Sequence, residues 1–266
     1  MRLYQALEHL KERRFKAMEP WEPGALEQFV SHLQKAAPTC AEFSFSFLDP
    51  ESADDTLQTF TDFSNELWDA GIAPIPHDSF WISWDQKVSA DVVHMAAYCE
   101  RNLDGKGKPA SLSVRSMYET KRRDGVIFLN QHGFKAIGDH KHILVSDAQN
   151  PSTMHLTDLG FEVAAALIGA LATPQAIRRD EPAPVKLNKQ RIQKGREPIG
   201  PMVVIDIRAS QQAAAAKRGE GSYTVRPHWR RGHIRHLADG RLIPIPPCCV
   251  NMEAGVPMKP EYVIKA

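Results

Sequence analysis

The sequence predicts an α+β fold: helices packed on a mostly antiparallel sheet, with a small basic β-hairpin C-terminal module. Three observations carry that expectation. Strand-like stretches between residues 72 and 146 follow one another with turn residues between them, instead of alternating with helices. Segments on either side of them repeat their apolar residues at helical spacing. The third observation is charge. Residues 1–175 hold 16 Lys and Arg against 24 Asp and Glu, a net −8, whereas residues 176–247 hold 15 against 6, a net +9. Pro174 and Glu181-Pro-Ala-Pro184 mark the change. The expected organisation is an acidic α+β domain over 1–175 and a basic module over 176–266 containing a helix, a strand and a hairpin.

In order along the chain, Leu3, Ala6, Leu7, Leu10 and Phe15 give a helix over 3–17, ended by Pro20. Pro23 suits the first turn of a second helix that runs to about Ala36, with Leu26, Phe29, Val30 and Leu33 inward. Phe43, Phe45 and Phe47 alternate with polar residues, the pattern of a strand with one wet side. Asp49-Pro50 turns the chain into a third helix over about 52–70, capped by Gly71. Pro74 and Pro76 hold an extended approach to a strand in which Phe80, Ile82 and Trp84 share a face.

Further strands are expected over 91–99, 111–119, 125–130 and 142–146, with Asp104-Gly-Lys-Gly107 and Arg122-Arg-Asp-Gly125 as turns. Thr157 is a cap residue ahead of a helix over 157–172, which is apolar on most sides and so expected at the centre. Val185–Arg196 reads as a short basic helix closed by Gly195, with Lys189, Arg191, Lys194 and Arg196 exposed. Met202–Arg208 is a strand apolar enough for both faces to be covered, and Ser210–Ser222 reads as an insertion.

The run Arg226-Pro-His-Trp-Arg-Arg-Gly-His-Ile-Arg-His-Leu237 is the least ordinary stretch. Eleven positions hold four arginines, three histidines and a tryptophan. A hydrophobic core has no use for that mixture, because guanidinium groups are rarely buried without partners. Anion recognition does, since Arg offers forked donors to phosphate and Trp a stacking face. Ala238-Asp-Gly240 makes the run the first arm of a hairpin, which divides its side chains between two faces. The basic helix is its expected companion surface.

These residues resemble a known group. Leu187-Asn-Lys-Gln-Arg-Ile-Gln-Lys-Gly-Arg-Glu-Pro198, the run from Arg226, Gly240-Arg241 and Val250 resemble a C-terminal module of bacteriophage and prophage proteins. Pro76-His-Asp-Ser-Phe-Trp-Ile-Ser83 resembles their middle region. Among them is a family of anti-CRISPR proteins directed against a type V CRISPR effector. The resemblance implies a phage or mobile-element accessory protein acting in the cytoplasm of a bacterial host. It implies that host CRISPR immunity is inhibited by recognising the nascent effector chain and triggering loss of its messenger RNA. It transfers no catalytic residue. Ile243-Pro-Ile-Pro-Pro247 departs from the pattern, which has a tryptophan-containing strand there.

A cytoplasmic setting also fits four cysteines without a CxxC pair, a charged N-terminal stretch and no apolar run of membrane-spanning length. The nucleic-acid contacts expected are Lys189, Arg191, Lys194, Arg196, Arg226, Trp229, Arg230, Arg231, Arg235 and Arg241. The competing reading is that these cations pair with acidic residues of the first 175. Phe80, Trp81 and Trp84 could flank a sheet edge that accepts a partner peptide, or fill the core. His228, His233 and Arg231 are the residue types a metal-independent ribonuclease needs: acid, base and a cation for the phosphorane. They serve equally for binding without reaction. The His140/His142/His155 and His228/His233/Cys248/Cys249 sets match no familiar zinc spacing, so neither a metal nor another cofactor is expected.

Overall fold

A computed structural model describes residues 1–18, 21–46, 53–88, 91–103, 105, 109–120, 125–129, 134–135, 151–173, 177–206 and 228–250. The expected strand over 142–146, the two hairpin turns at 104–107 and 122–125 apart from Gly105 and Gly125, Phe47 and the insertion at 210–222 lie outside these residues.

The first helix, α1 (Leu3–Lys11), is shorter than its apolar spacing predicts. Arg13 adopts a left-handed conformation, φ 55°, and reverses the chain, so that Phe15–Ala17 becomes a short strand, β1. Phe15 then meets Phe128 edge-on, with ring centroids 6.4 Å apart, instead of extending the helix stripe. Next come α2 (Ala25–Ala36), β2 (Ala41–Ser46) and α3 (Ala53–Asp69), the last closed by Gly71 at φ 70° as expected. A run of strands follows: β3 (Ser79–Val88), β4 (Asp91–Leu103), β5 (Pro109–Glu119), β6 (Val126–Phe128) and β7 (Phe134–Lys135). The long helix α4 (Pro151–Leu171) begins at a first-turn proline, ahead of Thr157. Then come β8 (Ile177–Glu181), α5 (Val185–Gln193) and β9 (Met202–Asp206). Four short strands end the described chain: β10 (His228–Arg230), β11 (His233–His236), β12 (Leu242–Ile245) and β13 (Cys248–Val250).

Nine strands form one mostly antiparallel sheet in the order β1-β6-β5-β4-β3-β2-β9-β8, with β7 also paired to β5. The fold is α+β as the sequence predicts. The boundary expected at 175/176 falls between α4 and β8; β8 and β9 beyond it are hydrogen-bonded into the large sheet, whereas β10–β13 form two separate two-stranded sheets. Strand β9 runs parallel to β2, Phe43 opposite Val203, and β8 runs antiparallel to β9.

Alternation along β3 fills two cores. Phe80, Ile82 and Trp84 point to one face, where α3 and α4 bury them with Phe43 and Phe45. Trp81 points to the other, under α1 and α2 with Tyr98, Phe29 and Phe128. The central place expected for α4 is observed: its residues from Leu159 to Ala170 are nearly all buried. Gly160 allows the close approach, since a Cβ there would stand 1.8 Å from the Ser116 hydroxyl on β5. The wet side expected of β2 is instead covered. Glu42, only 5% exposed, accepts two bonds from the Arg2 guanidinium, at 2.5 and 3.0 Å, and one from the Leu3 amide. A buried carboxylate needs such partners, and α1 supplies them. Among the described residues no helix is long and apolar enough to cross a membrane.

Candidate functional site

The expected hairpin is present. β11 and β12 pair antiparallel around Asp239-Gly240, where Gly240 takes φ 81°. The Asp239 carboxylate accepts from the Arg241 amide at 3.1 Å and from its Nε at 2.7 Å, and these bonds hold the acid below the usual carboxylate range. His233 and Arg235 stand opposite Ile245 and Ile243 on one face, and Ile234 and His236 opposite Pro244 and Leu242 on the other. Arg230, Arg231, His233, Arg235, His236 and Arg241 are all exposed. Beside the hairpin, β10 pairs with β13, placing His228 opposite Val250 and Arg230 opposite Cys248. Arg226 and the side chains of His228 and Trp229 lie outside the description.

The hairpin is held on α3 at one point. A Cβ on Gly232 would come within 2.5 Å of the buried Phe63 ring and 2.8 Å of Pro247, so only glycine fits between them. One helical turn along, Glu66 meets Arg231 Nη2 at 3.0 Å. The cation that the ribonuclease reading assigns to the reacting phosphate is thus an ion-pair partner of α3.

The basic helix α5 is anchored elsewhere, against α1. Arg191 is the anchor: its Nη2 lies 2.6 Å from Glu8, its Nε donates to the Glu197 carbonyl at 2.8 Å, and its guanidinium stacks 4.6 Å over Tyr4. With its side chain 12% exposed, Arg191 is a structural residue, which corrects its assignment to a nucleic-acid contact. Lys189, Lys194 and Arg196 are exposed as expected. α1 covers the Trp81 face of the sheet and α3 the Phe80 face, so the hairpin and α5 sit on opposite sides of the molecule. They are not companions on one surface, contrary to the sequence expectation.

Phe80, Trp81 and Trp84 are buried in the two cores, where no partner can reach them. Their expected role at a peptide-accepting edge is excluded because β3 lies inside the sheet, between β2 and β4.

Two clefts that the sequence did not reveal lie on the α1–α2 side. The larger, about 520 Å³, opens between α1, residues 37–42 and the segment 197–201. Leu3, Leu7, Pro38, Ile199 and Pro201 line it, with Lys11 and Glu197 among its polar residues. Arg2 ties its two walls together, bonding Glu42 on β2 and the Gly200 carbonyl at 3.1 Å. The Cys40 thiol in this cleft is pushed up to about 12, chiefly by burial and then by Glu42. The second, about 360 Å³, holds Trp21, His32, Glu100 and Arg115. His32 Nε2 lies 3.2 Å from both the Tyr98 hydroxyl and the Glu100 carboxylate, and Arg115 stacks 4.6 Å over Phe29. The only local signal for either was the Pro198, Gly200 and Pro201 cluster, which marks an irregular segment after α5.

The model of the Anti-CRISPR type V subtype A2 family matches residues 52–252, from α3 through the last described strand and more than half of the chain. The chain belongs to the anti-CRISPR type V subtype A2 family. No curated protein and no solved structure matches it. The family match includes the docked hairpin, α5 and the segment 197–201, whereas α1 and α2, which complete both clefts, precede it. As a member of this anti-CRISPR family the protein opposes type V CRISPR immunity, and a CRISPR effector of the host is its implied partner.

Proposed function

We propose that this anti-CRISPR protein recognises a protein target in the cleft beside α1 and contacts RNA or ribonucleoprotein through the exposed cations of its hairpin. One observation carries the reading: Arg230, Arg231, His233, Arg235 and Arg241 are all exposed along residues 230–241, a segment of two short two-stranded sheets packed on α3 at Gly232. Guanidinium forks suit phosphate oxygens, and fixing the sheet lowers the entropy cost of binding. Among the described residues Arg230 and Arg235 have no carboxylate partner, so they are the strongest contacts. The cleft supports the protein half of the reading, since about 520 Å³ with an apolar lining and few polar groups suits a short peptide segment. Labelled RNA titrated with the protein at low and raised salt tests the first half. Affinity that falls steeply with salt supports it, and no affinity at low salt removes it.

A further inference from the structure

Beside α2, the sheet face that carries Tyr98 turns polar. Tyr98 on β4 stands opposite Arg115 on β5, and Glu100, two residues on from Tyr98, shares that face. Glu100 and Arg115 line the second cleft from the sheet, and α2 lines it from the other side with Trp21 just ahead of it. The volume, about 360 Å³, is at the small end for ligand sites and suits one planar ring system rather than a peptide.

The polar groups of this cleft are held in place. The Glu100 side chain is 34% exposed, and its Oε1 lies 3.2 Å from His32 Nε2, which positions the carboxylate. The Tyr98 hydroxyl meets the same nitrogen at 3.2 Å. The Arg115 guanidinium stacks 4.6 Å over the Phe29 ring, close enough to Glu100 for the two charges to act on each other. The Trp21 ring lies 6.1 Å from that of Phe29 and completes an aromatic wall.

An acceptor and a forked donor in one cleft select a ligand that carries both donors and acceptors. A phosphate would meet Arg115 but be repelled by Glu22 and Glu100, and an ammonium group would be repelled by Arg115. A flat heterocycle uses every part, since its faces stack on aromatic rings and its edges reach the charged groups. Of the four bases, guanine alone has two adjacent donors, N1–H and the N2 amino group, on one edge and two adjacent acceptors, O6 and N7, on another. A carboxylate takes the first pair and a guanidinium the second. With five N–H donors, Arg115 can serve a base as well as its neighbours in the protein.

We propose that the cleft between α2 and strands β4 and β5 binds a guanine base, stacked on Trp21, with its donor edge on Glu100 and its acceptor edge on Arg115. Free guanosine and an unpaired guanine of RNA offer the same chemistry. The cleft is on the α2 face of the sheet and the hairpin on the α3 face, so the inference does not rest on the RNA contact of the hairpin. It does not rest on the peptide reading of the larger cleft either.

The test titrates the full chain calorimetrically with guanosine, adenosine, cytidine, uridine and free phenylalanine, a zwitterion with an aromatic ring. Guanosine binds, and each of the others binds about tenfold more weakly or worse. Glu100→Gln, which keeps the size of the side chain but removes its charge and one acceptor, weakens guanosine by a similar factor. Ala25→Phe, which fills the cleft from α2, abolishes binding. Glu100 and Ala25 are both partly in solvent, so the variants keep the wild-type melting midpoint, which separates a lost site from a lost fold. A uridine oligonucleotide with one guanosine gives the source of the base: competition with free guanosine assigns it to RNA, no competition assigns it to the nucleoside, and either supports the site. No guanosine binding up to about 1 mM overturns the proposal. So do equal affinities for the four nucleosides, undiminished guanosine binding by Glu100→Gln, or a preference for phenylalanine, which assigns the cleft to a zwitterion.

Discussion

Arg231 on the hairpin and Glu66 on α3 form an ion pair at 3.0 Å, one residue from the point where Gly232 meets the Phe63 ring. The pair and the glycine contact together fix the basic sheet to the acidic part of the chain. Of the two, the glycine contact is the stronger, because Phe63 is fully buried while the Arg231 guanidinium is mostly in water.

Gly232→Ala therefore destabilises the protein by about 1–3 kcal/mol, since the added methyl has only an aromatic ring and a proline to displace. Arg231→Ala costs under about 1 kcal/mol, the range for an exposed pair. Urea unfolding of the two variants beside wild type checks the ranking.

Arg191 holds α5 through Glu8, the Glu197 carbonyl and Tyr4 at once. Arg191→Ala lowers stability by about 1–3 kcal/mol, because it leaves the largely buried Glu8 carboxylate without its cation. Hydrogen exchange localises the effect: amides of 185–193 lose protection in the variant while those of β3 and β4 keep theirs.

Alkaline pH acts on both faces of the sheet, Cys40 and Tyr98 lying on the α2 side and Cys99 in the core under α3 and α4. Burial is the first cause that raises the Cys40 thiol from 9 to about 12, the Tyr98 hydroxyl from 10 to about 12 and the fully buried Cys99 thiol well above 9. Each group is neutral in the fold and ionises more easily once unfolded, so its contribution is complete below about pH 9 and is lost as pH rises toward 12. The urea midpoint holds steady to about pH 9 and falls above it, and Tyr98→Phe reduces the fall. Cys40 and Cys99 react with alkylating reagents more slowly than a free thiol at pH 8, because little thiolate is present.

Much of the fold was legible where the deciding contacts are local. The Phe80, Ile82 and Trp84 face follows from alternation alone, and Ala238-Asp-Gly240 gives the hairpin from three residues. The centrality of α4 follows from its unbroken apolar run. What escaped depends on distant partners. Nothing near Arg191 announces Glu8, 183 positions earlier, so an anchoring arginine reads like its exposed neighbours. The covered side of β2 depends on Arg2, and the early end of α1 on the turn at Arg13. Phe80, Trp81 and Trp84 are available for a partner only if their strand is a sheet edge, and the pairing of β3 with β2, far earlier in the chain, makes it an interior strand. Both faces carry helices, which places all three in cores. The residues of the hairpin were legible as a set, but its seat on α3, away from α5, was not.

The hairpin's histidines are exposed, and Arg231 is paired with Glu66 rather than poised beside a substrate phosphate. The outcome expected of purified protein incubated with labelled RNA is no cleavage, with His233→Ala giving the same result. Cleavage by wild type that disappears in the variant would make His233 part of a nuclease site.

The central claim is that Arg230 and Arg235 carry an RNA contact. Filter binding of labelled RNA across a salt series measures it directly. In wild type log affinity falls linearly with log salt, and the slope is smaller by about 1.4–1.8 when both arginines are alanine, from roughly 0.7–0.9 per lost phosphate contact. An unchanged slope in Arg230→Ala/Arg235→Ala, or no binding by wild type at low salt, contradicts it.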